Sequence, residues 1–187
     1  MTRVGILAIQ GDVAAHAAAL ARVGADAVPV RRAKELDELD ALILPGGEST
    51  TISKGLDRLA LWEPIEAFAR AGRPVLGTCA GAILLAREVE NHPVRSLALL
   101  DVVAVRNAYG TQVDSFAAPA EAGPWAGMTC VFIRAPRLRR PGPDVEVLAR
   151  HDGWPVAVRQ GNVWATTFHP ELTDDPRVHA ALVDVAG

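Results

Sequence analysis

Pro74-Val75-Leu76-Gly77-Thr78-Cys79-Ala80-Gly81-Ala82-Ile83-Leu84-Leu85-Ala86-Arg87 is the stretch that decides how this chain folds. Pro74 to Gly77 is a short apolar run that reads as a buried strand, and Ala80 to Arg87 reads as a helix. Between them a cysteine is flanked by Gly77 and Gly81, each two residues away. A strand that turns at once into a helix leaves no room for side chains beside the turn. Glycines there, with a reactive residue at the apex, make the pattern of a nucleophile elbow with cysteine in the serine position. A buried free cysteine is more often inert packing; the paired glycines set Cys79 apart. Its place at a helix N-terminus favours the thiolate, which is the nucleophilic form.

Outward from this elbow the first half of the chain alternates strand and helix patterns. Arg3 to Ile9, Ala25 to Val30 and Leu42 to Leu44 read as strands; Val13 to Val23, alanine-rich and ending near Gly24, and Trp62 to Ala71 read as helices. That alternation implies right-handed crossovers and a mostly parallel sheet covered on both faces. The second half differs. Val102–Val105, Cys130–Ile133, Val145–Ala149, Pro155–Arg159 and Val163–Thr167 are short strand candidates, with hairpin turns at Gly153 and Gly161-Asn162. The expected fold is therefore α/β, a mostly parallel central sheet with antiparallel strands added in the C-terminal half and a closing helix within Asp174 to Val185. The segment Arg134 to Pro143 reads as a loop, because its prolines cannot donate to a ladder.

Two further motifs carry chemistry. Phe168-His169-Pro170-Glu171 follows a strand, and in an extended segment residues two apart share a face. His169 can then serve Cys79 as base and protonate a leaving amine, with Glu171 holding the imidazole tautomer. His16, His92, His151 and His179 lack such a partner and read as structural or solvated. Leu44-Pro45-Gly46-Gly47-Glu48-Ser49-Thr50-Thr51 follows another strand. Its glycines let backbone N–H groups face a cavity, and two uses compete: a phosphate cradle, or an oxyanion hole in which Gly46 or Gly47 works with the N–H of Ala80; the plainer reading is a glycine-rich turn with a helix cap. The ending of a P-loop is missing.

Composition narrows the class. The chain has 187 residues, enough for one domain spanning 1–187, and half are hydrophobic, which excludes a disordered chain. A net charge of −3 with scattered basic residues argues against nucleic acid as a partner. Cys79 and Cys130 form no disulfide framework and read as reduced thiols of a cytoplasmic protein. Neither the opening apolar run nor Leu97 to Val105, interrupted by Asp101, suits a signal or membrane-spanning segment.

Taken together these residues resemble the class I, triad-type glutamine amidotransferases, a flavodoxin-like family. More narrowly, the chain is similar to the glutaminase subunits of the two-protein pyridoxal 5′-phosphate synthase, the PdxT family. The narrower resemblance rests on Gly5-Ile6-Leu7-Ala8-Ile9-Gln10-Gly11-Asp12, Pro45 to Thr51, Arg106-Asn107-Ala108-Tyr109-Gly110, Gln112 to Phe116, Phe132-Ile133-Arg134-Ala135-Pro136, Gln160 to Val163 and Phe168 to Leu172. It implies Cys79 as nucleophile, His169 as acid and base, and Glu171 as its orienter. Gly46, Gly47, Glu48 and Ser49 would bind glutamine and help form the oxyanion hole. Arg106, Ile133 and Arg134 would complete the glutamine site, and Gln10-Gly11-Asp12 would lie near it and near the partner. The implied reaction is hydrolysis of L-glutamine to L-glutamate and ammonia, the ammonia passing to a barrel-shaped lyase (PdxS-type) synthase subunit in a hetero-oligomer. Pyridoxal phosphate would be a product of that complex, and neither a cofactor nor a metal is implied for this chain. The alternatives are a glutaminase subunit of another pathway, such as imidazole glycerol phosphate synthesis, or an idle partner-binding module. Two departures from the family pattern, the alanine-rich first helix and an end soon after the closing helix, bear on the partner contact rather than the catalytic set.

Overall fold

The computed structural model describes residues 1–108 and 115–187. Tyr109, Gly110 and Gln112 to Asp114 of the resemblance segments lie outside the described residues. The apolar runs of the first half become parallel strands: β1 (Arg3–Leu7), β2 (Asp26–Val30), β3 (Ala41–Leu44) and β4 (Val75–Thr78). A fifth parallel strand, β12 (Val163–Thr166), pairs with β4, and beyond it β11 (Trp154–Gln160) and β10 (Glu146–His151) run antiparallel. The resulting order is β10-β11-β12-β4-β3-β1-β2. The expected mixed sheet is what forms, and the hairpin turns fall at Gly153 and at Gly161-Asn162.

Alternation along the strands decides what covers each face. Ile43 points into one cluster and its neighbours Leu42 and Leu44 into the other. On the Ile43 side, α1 (Val13–Arg22) and α5 (Arg177–Ala186) deliver Leu20, Val178 and Leu182. On the other side, α2 (Ser49–Arg58), α3 (Trp62–Arg70) and α4 (Ala80–Leu85) deliver Ile52, Leu56, Ile65, Phe68 and Leu84. Helices thus cover both faces.

Several expectations are corrected. The helix after the elbow ends at Leu85 rather than Arg87, because Ala86–Glu90 turns into strand β5 and pairs with β6 (Leu100–Val105). Arg87 then reaches Asp101 across that pair instead of continuing a helical turn. The segment expected to be loop contains β9 (Arg137–Arg139), a three-residue strand on β6. It carries no proline, so the argument from ladder donors does not reach it. The strands at Val102 and Cys130 join no part of the large sheet. β6 lies in a three-stranded sheet with β5 and β9, and β8 (Thr129–Ile133) pairs with β7 (Ser115–Pro119) in a two-stranded one. Helix α2 follows the Gly-rich stretch, whose plainest reading is a turn with a helix cap, although the sequence does not mark the residues of the helix itself. Its cap is Glu48, whose carboxylate accepts hydrogen bonds from the N–H groups of Thr50 and Thr51 at 3.0 and 2.7 Å.

Sheet order positions the site. The chain steps outward from β1 to β2 on one side, then crosses to β3 and β4 on the other, and the C-terminal ends around such a reversal form a crevice. Gln10 to Asp12 follow β1, Pro45 to Ser49 follow β3, Cys79 follows β4 and His169 follows β12. Four separate motifs are delivered to one edge.

Candidate active site

Cys79 occupies the turn between β4 and α4 with φ 50 and ψ −101, a backbone region that L-residues avoid. The turn is held there by the Cys79 N–H, which donates to the Thr166 carbonyl on β12 at 2.8 Å. Space enforces the glycines on either side. A Cβ at Gly81 would enter the Leu44 carbonyl oxygen, and one at Gly77 would enter the backbone of Gly81. The elbow inferred from sequence is therefore a matter of close backbone contact between β3, β4 and α4. The thiol is nearly covered and directs its S–H at the Ile133 carbonyl, 3.7 Å away.

His169 and Glu171 meet as their spacing predicts. His169 Nδ1 lies 2.7 Å from Glu171 Oε1, with the carboxylate wholly buried. Burial alone would push the imidazole toward neutrality. Hydrogen bonds to Cys79 and Glu171, together with their charges, outweigh it and raise His169 to about 10. Removing the thiol in Cys79→Ala takes away one of these two supports. Histidine NMR titration is expected to show His169 below about 10 in that variant, and an unchanged value would mean that Glu171 alone sets it.

The Gly-rich loop closes over this pair. A Cβ at Gly46 would collide with the His169 ring, so only glycine lets the loop lie against the imidazole. The Gly46 N–H donates to Thr78 Oγ1 at 3.1 Å, and the Glu48 N–H donates to Gln10 Oε1 at 2.7 Å. Asp12 Oδ2 stands 3.5 Å from His169 Nδ1, so Gln10-Gly11-Asp12 does border the site. Among the described residues, Asp12, His169 and Glu171 are the group whose ligand atoms, all within 4.8 Å of one another, could converge on an ion. The tight His169–Glu171 hydrogen bond accounts for that convergence without one.

Beside Cys79 lies a cavity of about 200 Å3, suited to a small metabolite rather than a dinucleotide. Of the residues singled out from sequence, Gly47, Glu48, Ser49, Cys79, Ala80, Arg106 and Arg134 line it. Gly46 and Ile133 stand behind the wall, against His169 and the thiol respectively. The Glu48 carboxylate turns back onto its own helix, where burial raises it but the capping donors of Thr50 and Thr51 prevail and hold it at about 2. The Arg106 guanidinium is fixed by the His92 carbonyl at 2.6 Å and by Thr50 Oγ1 at 3.2 Å. Arg134 sits at φ 45, another strained residue on the cavity rim. Ile83, Asn107 and Pro136 complete the lining. Sequence reasoning had not singled them out as site residues, although Asn107 and Pro136 fall in segments it quoted.

The full-length comparisons point the same way. A family model described as the SNO glutamine amidotransferase family matches residues 6–186. This chain belongs to that family. Within the SNO glutamine amidotransferases, a relative from Acidothermus cellulolyticus called pyridoxal 5′-phosphate synthase subunit PdxT is 54% identical, over 97% of this chain and 92% of its own. One of the same name from Shouchella clausii is 46% identical, over 97% and 93%. A solved structure titled as the crystal structure of glutamine amidotransferase superposes with a TM-score of 0.93 at 47% identity, covering 98% of both chains. Among the described residues no helix is long and apolar enough to cross a membrane.

Two histidines read as merely structural or solvated are part of the site's surroundings. His16 on α1 is wholly buried, with Nε2 3.1 Å from Thr78 Oγ1 and 3.4 Å from Glu171 Oε2. Its Nδ1 lies 3.0 Å from Nε2 of buried His179. The signal was present: Val13, His16, Ala17 and Leu20 make one helical stripe, and a histidine on an apolar stripe needs buried partners. Burial, helped by the charge of nearby Arg22, lowers His179 to about 4. Burial, followed by the charges of His179 and His169, takes His16 well below its usual value. Both groups therefore bind protons more weakly folded than unfolded. The stability they contribute is present above about 6.5 and is lost as pH falls, toward about 4 in the case of His179. His169, raised in the fold, has the opposite sign: its contribution is full below about 6.5 and fades as pH rises toward about 10. Thermal midpoints are expected to decline on both flanks, and a His179→Leu chain to lose part of the acid-side decline.

Proposed function

We propose that residues 1–187 act as one glutaminase domain, hydrolysing L-glutamine to L-glutamate and ammonia through a Cys79 thioester, and that the ammonia serves a pyridoxal 5′-phosphate synthase partner. The observation that carries the reading is the strained Cys79 elbow, on the same side of Gly46 as a histidine that a buried carboxylate orients. In this mechanism Cys79 gives its thiol proton to His169 and its sulfur attacks the side-chain amide carbon of glutamine, forming a C–S bond while the C=O π bond opens to a tetrahedral oxyanion. The N–H groups of Gly46 and Glu48 are already engaged, by Thr78 and Gln10. That leaves Gly47 and Ala80 as the donors for the oxyanion, each such donor being worth about 2.7–4 kcal/mol in the transition state. His169 gives its proton to the departing amine, ammonia leaves, and water then attacks the thioester with His169 as base. Cleavage of the C–S bond releases glutamate and restores the thiol.

The two arginines suit the α-carboxylate of the substrate, with Arg106 held rigid and Arg134 at the rim. Ser49 and Ile133 shape the walls. Glu48 acts through the helix cap that fixes its loop rather than as a carboxylate facing glutamine. The partner is a barrel-shaped lyase subunit in a hetero-oligomer, and the two free cysteines suit a cytoplasmic setting. The test is glutamine-dependent formation of pyridoxal phosphate by the reconstituted pair, using amide-15N glutamine. Label is expected in the product. Unlabelled product formed from glutamine would break the link between this chain and that synthesis.

A further inference from the structure

Glu171 presents an unresolved electrostatic problem that the triad alone does not answer. Its side chain is fully buried; Oε1 is satisfied by His169, but Oε2 makes no hydrogen bond within ordinary distance. A buried carboxylate oxygen without a donor is costly. His16 Nε2 lies 3.4 Å from Oε2, slightly beyond good hydrogen-bond length, and His16 itself is buried.

The tautomer of His16 decides whether that contact attracts or repels. A neutral imidazole carries one proton. On Nδ1 it would be donated to His179, leaving a lone pair on Nε2 facing the carboxylate. On Nε2 it lies between Glu171 Oε2 and Thr78 Oγ1, while Nδ1 accepts from the His179 Nε2–H. Only the second arrangement places a donor on the charged oxygen. Thr78 Oγ1 also accepts the Gly46 N–H, so the same imidazole joins the acid of the triad to the Gly-rich loop.

We propose that His16 is a positioning residue for the active site, its Nε2–H shared between the Glu171 carboxylate and the Thr78 hydroxyl. The proposal rests on the glutaminase reading. It holds Glu171 in the orientation that aims His169 at Cys79, and it acts through Glu171 without touching substrate. Groups that orient a metal ligand from behind typically change activity by about 10–100-fold, and an effect of that order is expected for a group that orients the triad carboxylate.

Three substitutions and one spectrum test it in the partner-bound chain. Glutamine places an amide N–H where Nε2 stands, asparagine only near Nδ1, and leucine places neither. His16→Leu and His16→Asn are expected to lower kcat for glutamine about 10-fold or more, with KM within about threefold. His16→Gln is expected to recover most of the loss. Thermal melts of all three show whether they fold, and comparing the Gln and Asn variants separates hydrogen bonding from packing. In 15N-histidine spectra of the wild-type chain, the resonance lost in His16→Gln is expected to report a neutral ring protonated on Nε2. A proton on Nδ1, or a folded Asn variant as fast as wild type, would overturn the proposal. A wild-type complex with no glutaminase activity would remove the functional reading instead, and the tautomer would still be decided by the spectrum.

Discussion

A Cys79→Ala chain is expected to fold and to pair with its partner, yet to release glutamate at least about a thousandfold more slowly than the native chain. The size follows from what the sulfur does: without it no acyl-enzyme forms, and the loop donors and arginines can only bind glutamine. The fold should lose little, within about 1–2 kcal/mol, because one small buried atom is deleted and alanine can occupy the same backbone conformation. Acid-quenched native enzyme during turnover should carry a glutamyl adduct on the peptide containing Cys79, and the variant none. Adduct on any other residue would displace Cys79 from the mechanism.

The second large effect is structural. Gly81→Ala drives a methyl group into the Leu44 carbonyl, backbone against which no rotamer can yield. Overpacking of that kind is expected to destabilise by about 3 kcal/mol, which for a chain of this size lowers the melting midpoint by roughly 6–12 °C. Leu44 leads directly into Pro45-Gly46-Gly47, so the displacement also reaches the loop lying on His169. Activity should fall beyond what the unfolded fraction explains. Melting curves and glutamate release at a temperature where the variant remains folded distinguish the two losses. A midpoint within about 2 °C of native would show that the β3–α4 contact is looser than it stands here.

Much of this arrangement was legible in the residues. Periodicity and punctuation locate β1 to β4, α1, α3 and α5, since each is a local pattern bounded by glycine, proline or charge. The elbow was legible because a cysteine between two glycines is hard to explain by packing. His169 and Glu171 were legible because spacing in an extended segment puts them on one side. What escaped depends on distant pairing. Ala86–Glu90 is strand only because β6 lies beside it, and Arg137–Arg139 only because β6 has a free edge. A helix cap was legible in the Gly-rich stretch, but not that Glu48 supplies it, because a glutamate there looks like a ligand until the Thr50 and Thr51 N–H groups are seen to face it. His16 escaped because its partners, Thr78, Glu171 and His179, lie 62, 155 and 163 residues away.

The geometry also separates two properties that share one set of residues. The site keeps a strained cysteine, a buried carboxylate and three buried histidines, any of which a stability-optimised core would replace. Their retention in and directly behind one crevice is better explained by chemistry than by packing.

The most direct measurement is glutamate release from glutamine by the purified chain, alone and with a pyridoxal phosphate synthase subunit. The account predicts release that requires Cys79 and serves the partner's synthesis. No release in either condition, with the complex shown to form, would contradict it and leave a partner-binding module that has kept an unused triad.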